Sequence, residues 1–304
     1  MLKNYLKTAW RNLAKNKAHS FINITGLSVG MCVAMLIAFW IYDELSYNRN
    51  FKNHDRIARV VQNVTNNGEV QTWQAMPWPL AQEIRTNYGA DFKYVAMSTN
   101  PGETRFQYGD KKLSFDGVFF EESAPEMLDL KMIHGKRDAL KDPSSILISE
   151  SMAKAFFGDG EVINKVLRTE DSTEVKVAGV YKDLPISSSF SELKYIASWK
   201  LFESQKDGIK TMEDPWRPNA FQLYVQLNDG VDINQASLHI KDAKLKKVNP
   251  QLQKKKPALF LHPMKDWYLR DEFKSGFNIG GRIQYVWMFA IVGVFVLTSI
   301  ACGA

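Results

Sequence analysis

The sequence predicts an α+β extracytoplasmic domain of two lobes, with mixed or antiparallel sheets, held between two transmembrane α-helices. Two apolar runs without charged side chains, residues 21–42 and 285–304, are each long enough to cross about 30 Å of hydrocarbon as a helix. Short strand and helix patterns alternate between them, as expected of an α+β fold. At about 240 residues, this intervening segment is long enough to bury its own core.

Residues 1–20 precede the first apolar run and have the pattern of a basic amphipathic helix, with apolar residues recurring at helical spacing from Leu2 to Leu13. The segment has no acidic residue, and its cations are Lys3, Lys7, Arg11, Lys15 and Lys17. This pattern predicts a cytoplasmic helix lying in the headgroup layer. An ordinary basic flank that happens to be helical is the alternative.

The charges around residues 21–42 predict the orientation of the protein. Because Lys and Arg near a span stay on the cytoplasmic side, the N-terminus is predicted to be cytoplasmic and residues 43–284 extracytoplasmic. The five N-terminal cations account for all but one of the net charge of +6, so the basic pI gives no reason to expect a nucleic-acid partner. A cleaved signal peptide would have a shorter apolar core, usually of about 7–15 residues, followed by small residues. This run is longer and ends in Trp40, Ile41 and Tyr42, so an uncleaved anchor is favoured.

The second apolar run reaches the last residue and predicts a truncated second transmembrane helix, at residues 285–304. We therefore expect a fragment of a longer protein. Both cysteines, Cys32 and Cys302, lie in the predicted spans, so no disulfide is expected in residues 43–284.

The first elements of the extracytoplasmic segment are a hairpin and a helix. Residues 57–64 and 69–73 flank Asn66-Asn67-Gly68, whose Asn-Gly pair is typical of a tight hairpin turn. Residues 79–88 predict a helix, with Pro79 in its first turn and an apolar face that includes Ile84.

The middle of the segment shows four further elements. A second hairpin, residues 106–108 and 111–115, is predicted around Gly109-Asp110. Ser145–Ser149 predicts a buried strand, followed by a helix over Glu150–Phe157 that ends at Gly158. Glu174–Tyr181 predicts another strand.

The last elements are two strands around a helix. Residues 221–227 alternate between apolar and polar side chains, which predicts a half-buried strand. A helix is predicted over 233–248 and a strand over 258–262. Surface loops are predicted at 158–160, 186–191 and 205–218.

One segment is unusually rich in lysine. Lys254, Lys255 and Lys256 follow Lys244, Lys246 and Lys247 in the chain. Such a run is more often a solvated helix end and loop than a surface for an acidic partner or for anionic lipid, so solvated lysines are expected here.

A catalytic motif within the first span is better explained by helix packing. Gly26-Leu27-Ser28-Val29-Gly30 matches the nucleophile-elbow pattern, which requires a strand-turn-helix. Inside a transmembrane helix, Gly26, Gly30 and Ala34 instead form a face of small residues on which another helix packs closely.

The remaining motifs do not indicate catalysis. Ser151 and Lys154, like Ser191 and Lys194, match Ser-x-x-Lys, but the Ser-x-Asn that such enzymes also need is absent between these motifs and Lys274. The histidines have no metal-site spacing. No phosphate-binding loop is present, so any ATPase is expected on a separate chain. We therefore predict no catalytic, metal or cofactor-binding residue. The histidines are His19, His54, His134, His239 and His262.

Several short segments resemble, in order and spacing, the FtsX/MacB-type permeases of ABC transporters. The resemblance is strongest to the Bacteroidetes members of this family. The segments cover essentially the whole chain. The segments are Leu2-Lys3-Asn4-Tyr5-Leu6-Lys7, Arg11-Asn12-Leu13, Phe21-Ile22-Asn23-Ile24, Asp43-Glu44-Leu45-Ser46-Tyr47, Asp55-Arg56-Ile57, Ile148-Ser149-Glu150-Ser151-Met152-Ala153-Lys154, Phe156-Phe157-Gly158, Val177-Ala178-Gly179-Val180, Lys182-Asp183-Leu184-Pro185 and Ser299-Ile300-Ala301-Cys302.

This resemblance implies a multi-pass protein of the bacterial inner membrane, with further spans after residue 304. Its MacB-like periplasmic core domain would cover residues 43–284, with two subdomains, about 101–215 forming the inserted lobe. It also implies a non-catalytic subunit that works with a cytoplasmic ABC ATPase, as a homodimer or pseudo-dimer in the membrane, and with a periplasmic adaptor or outer-membrane partner in some systems. ATP hydrolysis would then drive export, lipoprotein handling or mechanotransmission. The working parts would be the Gly26 and Gly30 face, residues 43–47 and 277–282, and the exposed periplasmic surface.

Two other classes of protein share this layout. Two spans around one domain also describe sensory receptors, so an extracytoplasmic ligand-sensing domain is the alternative function. A membrane-anchored enzyme is a third reading, but the sequence shows no polar constellation typical of an active site. The order of the motifs favours the permease.

Overall fold

The computed structural model describes residues 11, 15, 17–206, 208 and 211–303. The helix predicted over residues 1–20 therefore lies largely outside the described residues. The chain divides into two compact units, a helical unit (Met1–Ser46 with Gly281–Ala304) and an α+β unit (Tyr47–Gly280).

The helices and strands with described bounds are numbered in chain order. The helices are α1 (Lys17–Leu45), α2 (Leu80–Tyr88), α3 (Ala124–Met127), α4 (Glu150–Phe157), α5 (Trp199–Gln205), α6 (Ile233–Ile240), α7 (Pro250–Gln253) and α8 (Ile283–Gly303). The strands are β1 (Ile57–Asn66), β2 (Glu69–Trp73), β3 (Phe92–Ser98), β4 (Gly102–Tyr108), β5 (Lys111–Phe120), β6 (Met132–Gly135), β7 (Ser145–Ser149), β8 (Val166–Thr169), β9 (Glu174–Tyr181), β10 (Tyr195–Ser198), β11 (Gln222–Leu227), β12 (Ala258–Pro263), β13 (Glu272–Lys274) and β14 (Phe277–Gly280).

The helical unit consists of α1 packed against α8. Among the described residues, α1 is the one helix long and apolar enough to cross a membrane; the apolar stretch of α8 with described side chains is shorter, Ile283–Ser299. Trp40 meets Phe289 edge to face at 4.9 Å. A methyl group added to Gly293 would approach Ile37 to 3.3 Å, so glycine allows a close approach of the two helices there.

The first part of the α+β unit follows a split βαβ plan. Two βαβ pieces, β1-α2-β3 and β11-α6-β12, combine into one antiparallel sheet with the strand order β3-β11-β1-β12. This is the ferredoxin-like arrangement. Apolar side chains of α2 and α6, including Ile84 and Ile240, pack on Val60, Leu223 and Val225 of the sheet.

The second part is a closed ring of six strands inserted in the chain between β3 and β11. Neighbouring strands pair in the order β5-β4-β8-β9-β7-β10, and β10 pairs with β5 to close the ring. The β5–β10 and β7–β9 pairs are parallel and the others antiparallel. Closure leaves no free edge in the ring, and apolar side chains such as Phe106, Leu167 and Val177 fill it. The predicted limits of the inserted lobe, about 101–215, stay a prediction.

An aromatic cluster packs on the face of the antiparallel sheet that faces away from α2 and α6. Tyr224 of β11 contacts Phe120 of β5 at 5.4 Å between ring centroids and Trp267 at 5.5 Å. Phe190 contacts both Tyr224 and Trp267. These rings fix the barrel strand β5 against the sheet through a shared core rather than through a flexible linker.

The fold class predicted from the sequence is confirmed, as are the elements with the clearest local signals. Asn67 and Gly68 have φ angles of 50° and 85°, as the predicted hairpin turn between β1 and β2 requires. Helix α4 begins at Ser149, whose hydroxyl accepts a hydrogen bond from the Met152 amide, and ends at Gly158 with φ 61°. The turn between β4 and β5 lies where predicted, but both strands extend further from the turn than predicted.

Two predictions about the last part of the domain are wrong. The helix predicted over 233–248 ends at Ile240, because the Lys241 carbonyl accepts a hydrogen bond from Leu259 of β12 and successive turns follow. The strand predicted to be half-buried, β11, is buried on both faces, because the helices cover one face of its sheet and the aromatic cluster covers the other.

Candidate functional site

The first residues after helix α1 in the α+β unit hold two distant segments together. Asn48 is buried, and its side-chain nitrogen donates to Ser189 Oγ at 2.9 Å and to the Met264 carbonyl at 3.2 Å. Its side-chain oxygen accepts from the Ser189 amide at 2.8 Å, and its own amide donates to the Ser187 carbonyl. We call Tyr47, Asn48, residues 187–189 and residues 264–268 the junction.

Tyr47 supports the same arrangement. Its hydroxyl donates to the Ser188 carbonyl at 3.1 Å, and its ring stacks on Tyr268 with centroids 3.8 Å apart. The φ of Asn48 is 64°, a left-handed conformation that Asn tolerates better than most residues. The sequence after α1 is therefore suited to a sharp turn in which the side chains of Tyr47 and Asn48 bind the other segments of the junction.

The loop at residues 187–189, which is hydrogen-bonded to Asn48, is anchored to the barrel at both ends. On one side, Asp183 accepts hydrogen bonds from the Ser151 hydroxyl (2.6 Å) and amide (2.8 Å) at the start of α4, and pairs with Lys194 at 2.9 Å. On the other side, the Tyr181 hydroxyl donates to the Leu193 carbonyl at 2.9 Å. Burial raises the pKa of Asp183, but the bonds from Ser151 and Lys194 outweigh it and hold the pKa below its usual value. Displacement of the loop would therefore be passed to the barrel.

A second polar group ties the segment before α8 to the antiparallel sheet. Asp271, next to β13, lies 3.0 Å from Arg59 Nη2 of β1 and 3.4 Å from His262 Nε2 of β12, and accepts from Gln74. Burial raises the pKa of Asp271, but His262, the charge of Arg59 and Gln74 together lower it below its usual value. The Arg59 guanidinium also lies 5.5 Å from the Trp267 ring centroid.

The β13–β14 hairpin itself is fixed on the β1–β2 hairpin. Asn63 donates to the Gly276 carbonyl at 3.0 Å, and a methyl group on Gly276 would come within 2.8 Å of Val70. Asn278 donates to the Arg270 carbonyl at 2.6 Å. The two segments of the α+β unit that adjoin the helical unit in sequence are thus both held within the α+β unit by side-chain hydrogen bonds.

Lys244 is buried in a cage of amides, so the prediction that all six lysines of its segment are solvated is wrong for this one. Its ammonium donates to Gln62 Oε1 at 2.7 Å and to Asn219 Oδ1 at 2.6 Å, and no carboxylate pairs with it among the described residues. Burial lowers the pKa of Lys244 to about 8. It lies inward because the turns after α6 place it beside β1, where Gln62 and Asn219 supply neutral acceptors.

We expect the buried Lys244 to make stability rise with pH. Between the folded pKa of about 8 and the unfolded value near 10.4, the unfolded chain binds more protons, so the free energy of unfolding rises by on the order of 2 kcal/mol. Urea titrations of the full chain in detergent at pH 7.5 and 9.5 would measure it. K244M should lose the rise and K246M, at an exposed neighbour, should keep it. An equal rise in K244M would show that another group is responsible.

An open cleft of about 520 Å³ lies between α2 and β3 on one side and residues 121–123 and α5 on the other. Glu121 lies in it, paired with Arg85 and accepting from the Met97 amide at 2.8 Å. Burial raises the pKa of Glu121 more than Arg85 and Met97 lower it. Lys200 pairs with Glu122 at 2.8 Å, so the charged groups of the cleft largely neutralise each other.

The residues singled out by sequence lie in different places. Residues 43–45 end α1, and Tyr47 belongs to the junction; residues 277–280 form β14. Ala34 is buried in the helical unit, whereas Gly26 has open space around it. Ser151 serves as a partner of Asp183 rather than of Lys154. Within the described ranges, no three His, Cys, Asp or Glu residues are grouped as metal ligands would be. That no residue is catalytic stays a prediction.

Comparison with known proteins identifies the family. A family model described as the MacB-like periplasmic core domain matches residues 20–243, which is most of the chain. The chain belongs to the MacB-like periplasmic core domain family. The resemblance inferred from the sequence motifs is thus confirmed, and the matched residues include most of the α+β unit. No match was found among curated proteins.

One solved structure shows the same fold as this MacB-like domain, and two others align with lower scores. A domain of a Porphyromonas gingivalis protein described as a permease aligns with a TM-score of 0.59 and 22% identity, covering 70% of this chain and 91% of that one. The periplasmic region of MacB from Actinobacillus actinomycetemcomitans aligns with a TM-score of 0.47, 14% identity, and coverage of 70% and 90%. The extracellular domain of the noncanonic ABC-type transporter YknZ from Gram-positive bacteria gives 0.46, 16%, and coverage of 67% and 98%.

Proposed function

We propose that this protein is the membrane permease subunit of an ABC transporter, in which a separate cytoplasmic ATPase drives motion of the periplasmic domain. In this arrangement residues 1–20 lie at the cytoplasmic face, 21–42 and 285–304 are the first two spans of a multi-pass inner-membrane protein, and 43–284 are periplasmic. The output would be export, lipoprotein handling or mechanotransmission. The chain itself would catalyse no reaction.

The junction is the observation that supports this role. Mechanical coupling requires that a helix movement reach the domain without being absorbed by a flexible linker. Here the second and third residues after α1 are bound to the loop at 187–189, and that loop is held on the barrel by Asp183. A short, hydrogen-bonded connection of this kind suits a transmitter of motion in a member of the MacB-like family.

The proposed partners follow from the same arrangement. A homodimer or pseudo-dimer would use the small-residue face, because Gly26 has open space where a second helix can approach. A periplasmic adaptor or outer-membrane partner would bind the exposed surface of the periplasmic lobes. Crosslinking of a Gly26→Cys variant in membranes, with the native cysteines replaced by serine, tests the dimer, and recovery of monomer alone would count against it.

A sensory domain remains the second candidate, and the cleft beside Glu121 is the feature that favours it. Its volume of about 520 Å³ is in the range of small-molecule sites. Four of its charged side chains already form two ion pairs within the protein, Arg85 with Glu121 and Lys200 with Glu122, which leaves few groups to select a ligand. The permease is therefore the better supported of the two functions.

Copurification distinguishes these two functions. The full-length protein, expressed at its native level, would be purified from membranes and its partners identified by mass spectrometry. We expect a cytoplasmic ABC ATPase whose activity in the sample is lost when the permease is removed. Recovery of a response regulator or chemotaxis coupling protein without an ATPase would contradict the permease and support the sensory domain.

A further inference from the structure

The loop held by Asn48 carries a conspicuously exposed apolar residue. Ile186 is 93% exposed, and no large apolar side chain in the described part of the chain exceeds it, including those on the outer faces of α1 and α8. Two residues that follow it in the loop, Ser188 and Phe190, are buried instead. The loop thus holds one isoleucine outward on an anchored segment.

The position of Ile186 in the hydrogen-bond network indicates which partner. Ser187 and Ser188, the next two residues, accept hydrogen bonds from the Asn48 amide and the Tyr47 hydroxyl. Tyr47 follows the end of α1 by two residues, and α1 is the helix suited to cross a membrane. The loop is therefore bound to the first residues that leave the predicted span.

A second exposed apolar side chain lies shortly before α8 in sequence. Phe277, the first residue of β14, is 76% exposed, and β14 ends three residues before α8 begins. Its hairpin is fixed by the Asn278 and Asn63 hydrogen bonds, so the exposed ring is on a rigid element. Two exposed apolar side chains therefore stand on anchored segments next to the two helices of the helical unit in sequence.

Two lysines without a carboxylate partner among the described residues precede the loop that carries Ile186. Lys131 and Lys182 are exposed neighbours, joined by a hydrogen bond from the Lys182 amide to the Lys131 carbonyl at 2.8 Å. The nearby carboxylates already have cations, Asp129 with Arg137 at 2.7 Å and Asp183 with Lys194 at 2.9 Å. Across the described ranges, no acidic side chain pairs with Lys131 or Lys182, so their charge is free for an anionic partner.

We propose that Ile186 and Phe277 insert into the periplasmic leaflet of the inner membrane, with Lys131 and Lys182 contacting anionic phospholipid headgroups. Apolar tips combined with lysines are the chemistry of interfacial membrane contacts. This contact rests on the proposed membrane topology but not on the ATPase partner. It makes the leaflet a second support for the loop that Asn48 holds, so that helix movement is transmitted relative to the membrane surface.

Lipid quenching tests this contact directly. In the full-length protein with its native cysteines replaced by serine, Ile186→Cys, Phe277→Cys and Leu238→Cys would each carry the fluorophore NBD. Leu238 is the matched control, since it is 67% exposed on α6, remote in sequence from both helices of the helical unit. The proteins would be placed in vesicles of phosphatidylethanolamine and phosphatidylglycerol, with or without a lipid carrying a nitroxide just below its headgroup.

We expect roughly twofold quenching at positions 186 and 277 and little at 238, because interfacial groups sit within about 5–10 Å of the headgroup boundary. Adding Lys131→Glu and Lys182→Glu should reduce quenching at 186 in these vesicles but not in vesicles of phosphatidylcholine alone, since the anionic charge is then absent. Equal quenching at 186, 277 and 238 would overturn the contact.

A topology control separates the two ways in which the contact could fail. Dithionite does not cross membranes, so in spheroplasts it should reduce NBD at position 238 if the domain is periplasmic. Protection at 238 would contradict the proposed topology and the lipid contact together. Reduction at 238 without quenching at 186 and 277 would contradict the lipid contact alone.

Discussion

Replacement of Asn48 by alanine is expected to lower the free energy of unfolding of the α+β unit by about 3 kcal/mol. The change removes three side-chain hydrogen bonds and leaves the Ser189 amide without its acceptor. It also forces alanine into a left-handed conformation with φ 64°. Urea titration of the full chain in detergent micelles, followed by tryptophan fluorescence, measures the loss.

Two further variants separate the causes of this loss. N48G relieves the backbone strain but still lacks the hydrogen bonds, so it should fall between the wild type and N48A. Asn164 has nearly the same φ of 65° but is exposed, so N164A should cost only the strain of about 1–2 kcal/mol. Equal effects of N48A and N164A would mean that the junction hydrogen bonds add nothing to stability.

Replacement of Gly117 by alanine is expected to open the barrel and lower the free energy of unfolding by about 3 kcal/mol. Gly117 pairs with Tyr195 where β5 meets β10 and closes the ring. A methyl group at this position would stand 2.4 Å from the Tyr195 carbonyl oxygen, a backbone atom that cannot move without breaking the strand pairing. Tyr195 is itself fixed by its bond to Thr104 at 2.7 Å and by the Phe106 ring.

The control for this substitution lies directly opposite in the same hairpin. Gly102 of β4 pairs with Gly117, but a methyl group on Gly102 would meet nothing within 4 Å. G102A should therefore change the free energy of unfolding by less than about 1 kcal/mol. The same urea titration compares the two variants, and a G117A protein as stable as G102A would show that the ring is not closed at this place.

The sequence predicts the elements whose signals are local. The turn at Asn67 and Gly68 and the caps of α4 at Ser149 and Gly158 are dictated by backbone conformations that few residues adopt, and both are found as expected. Closure of the barrel depends instead on pairing between β5 and β10, which lie far apart in sequence. No local pattern encodes such a pairing, because either strand could equally pair with another partner.

Tertiary contacts explain the wrong predictions as well. Helical periodicity continues past Ile240, but a hydrogen bond from β12 takes the Lys241 carbonyl and ends α6. Lys244 was expected in solvent because lysine in a charged run usually is, and only the fold brings Gln62 and Asn219 to it.

The junction could be predicted from sequence only in part. Resemblance to the permease family pointed to residues 43–47, and Tyr47 does take part in the junction. Asn48 was missed, because a single Asn after a span carries no pattern, although its tolerance of left-handed backbone was a usable signal. The serines at 187–189 read as an ordinary polar loop, since their partners lie about 140 residues earlier in the chain.

The proposed role of the junction can be tested most directly by hydrogen–deuterium exchange of the full-length protein in complex with its ATPase. The amides of Asn48 and Ser189 are bonded within the junction, and the interior amides of β7 serve as an internal reference. If the junction transmits motion, exchange at Asn48 and Ser189 should differ between the nucleotide-free and ATP-trapped states while exchange in β7 does not. Unchanged exchange at the junction in a complex that hydrolyses ATP would contradict its role in transmission.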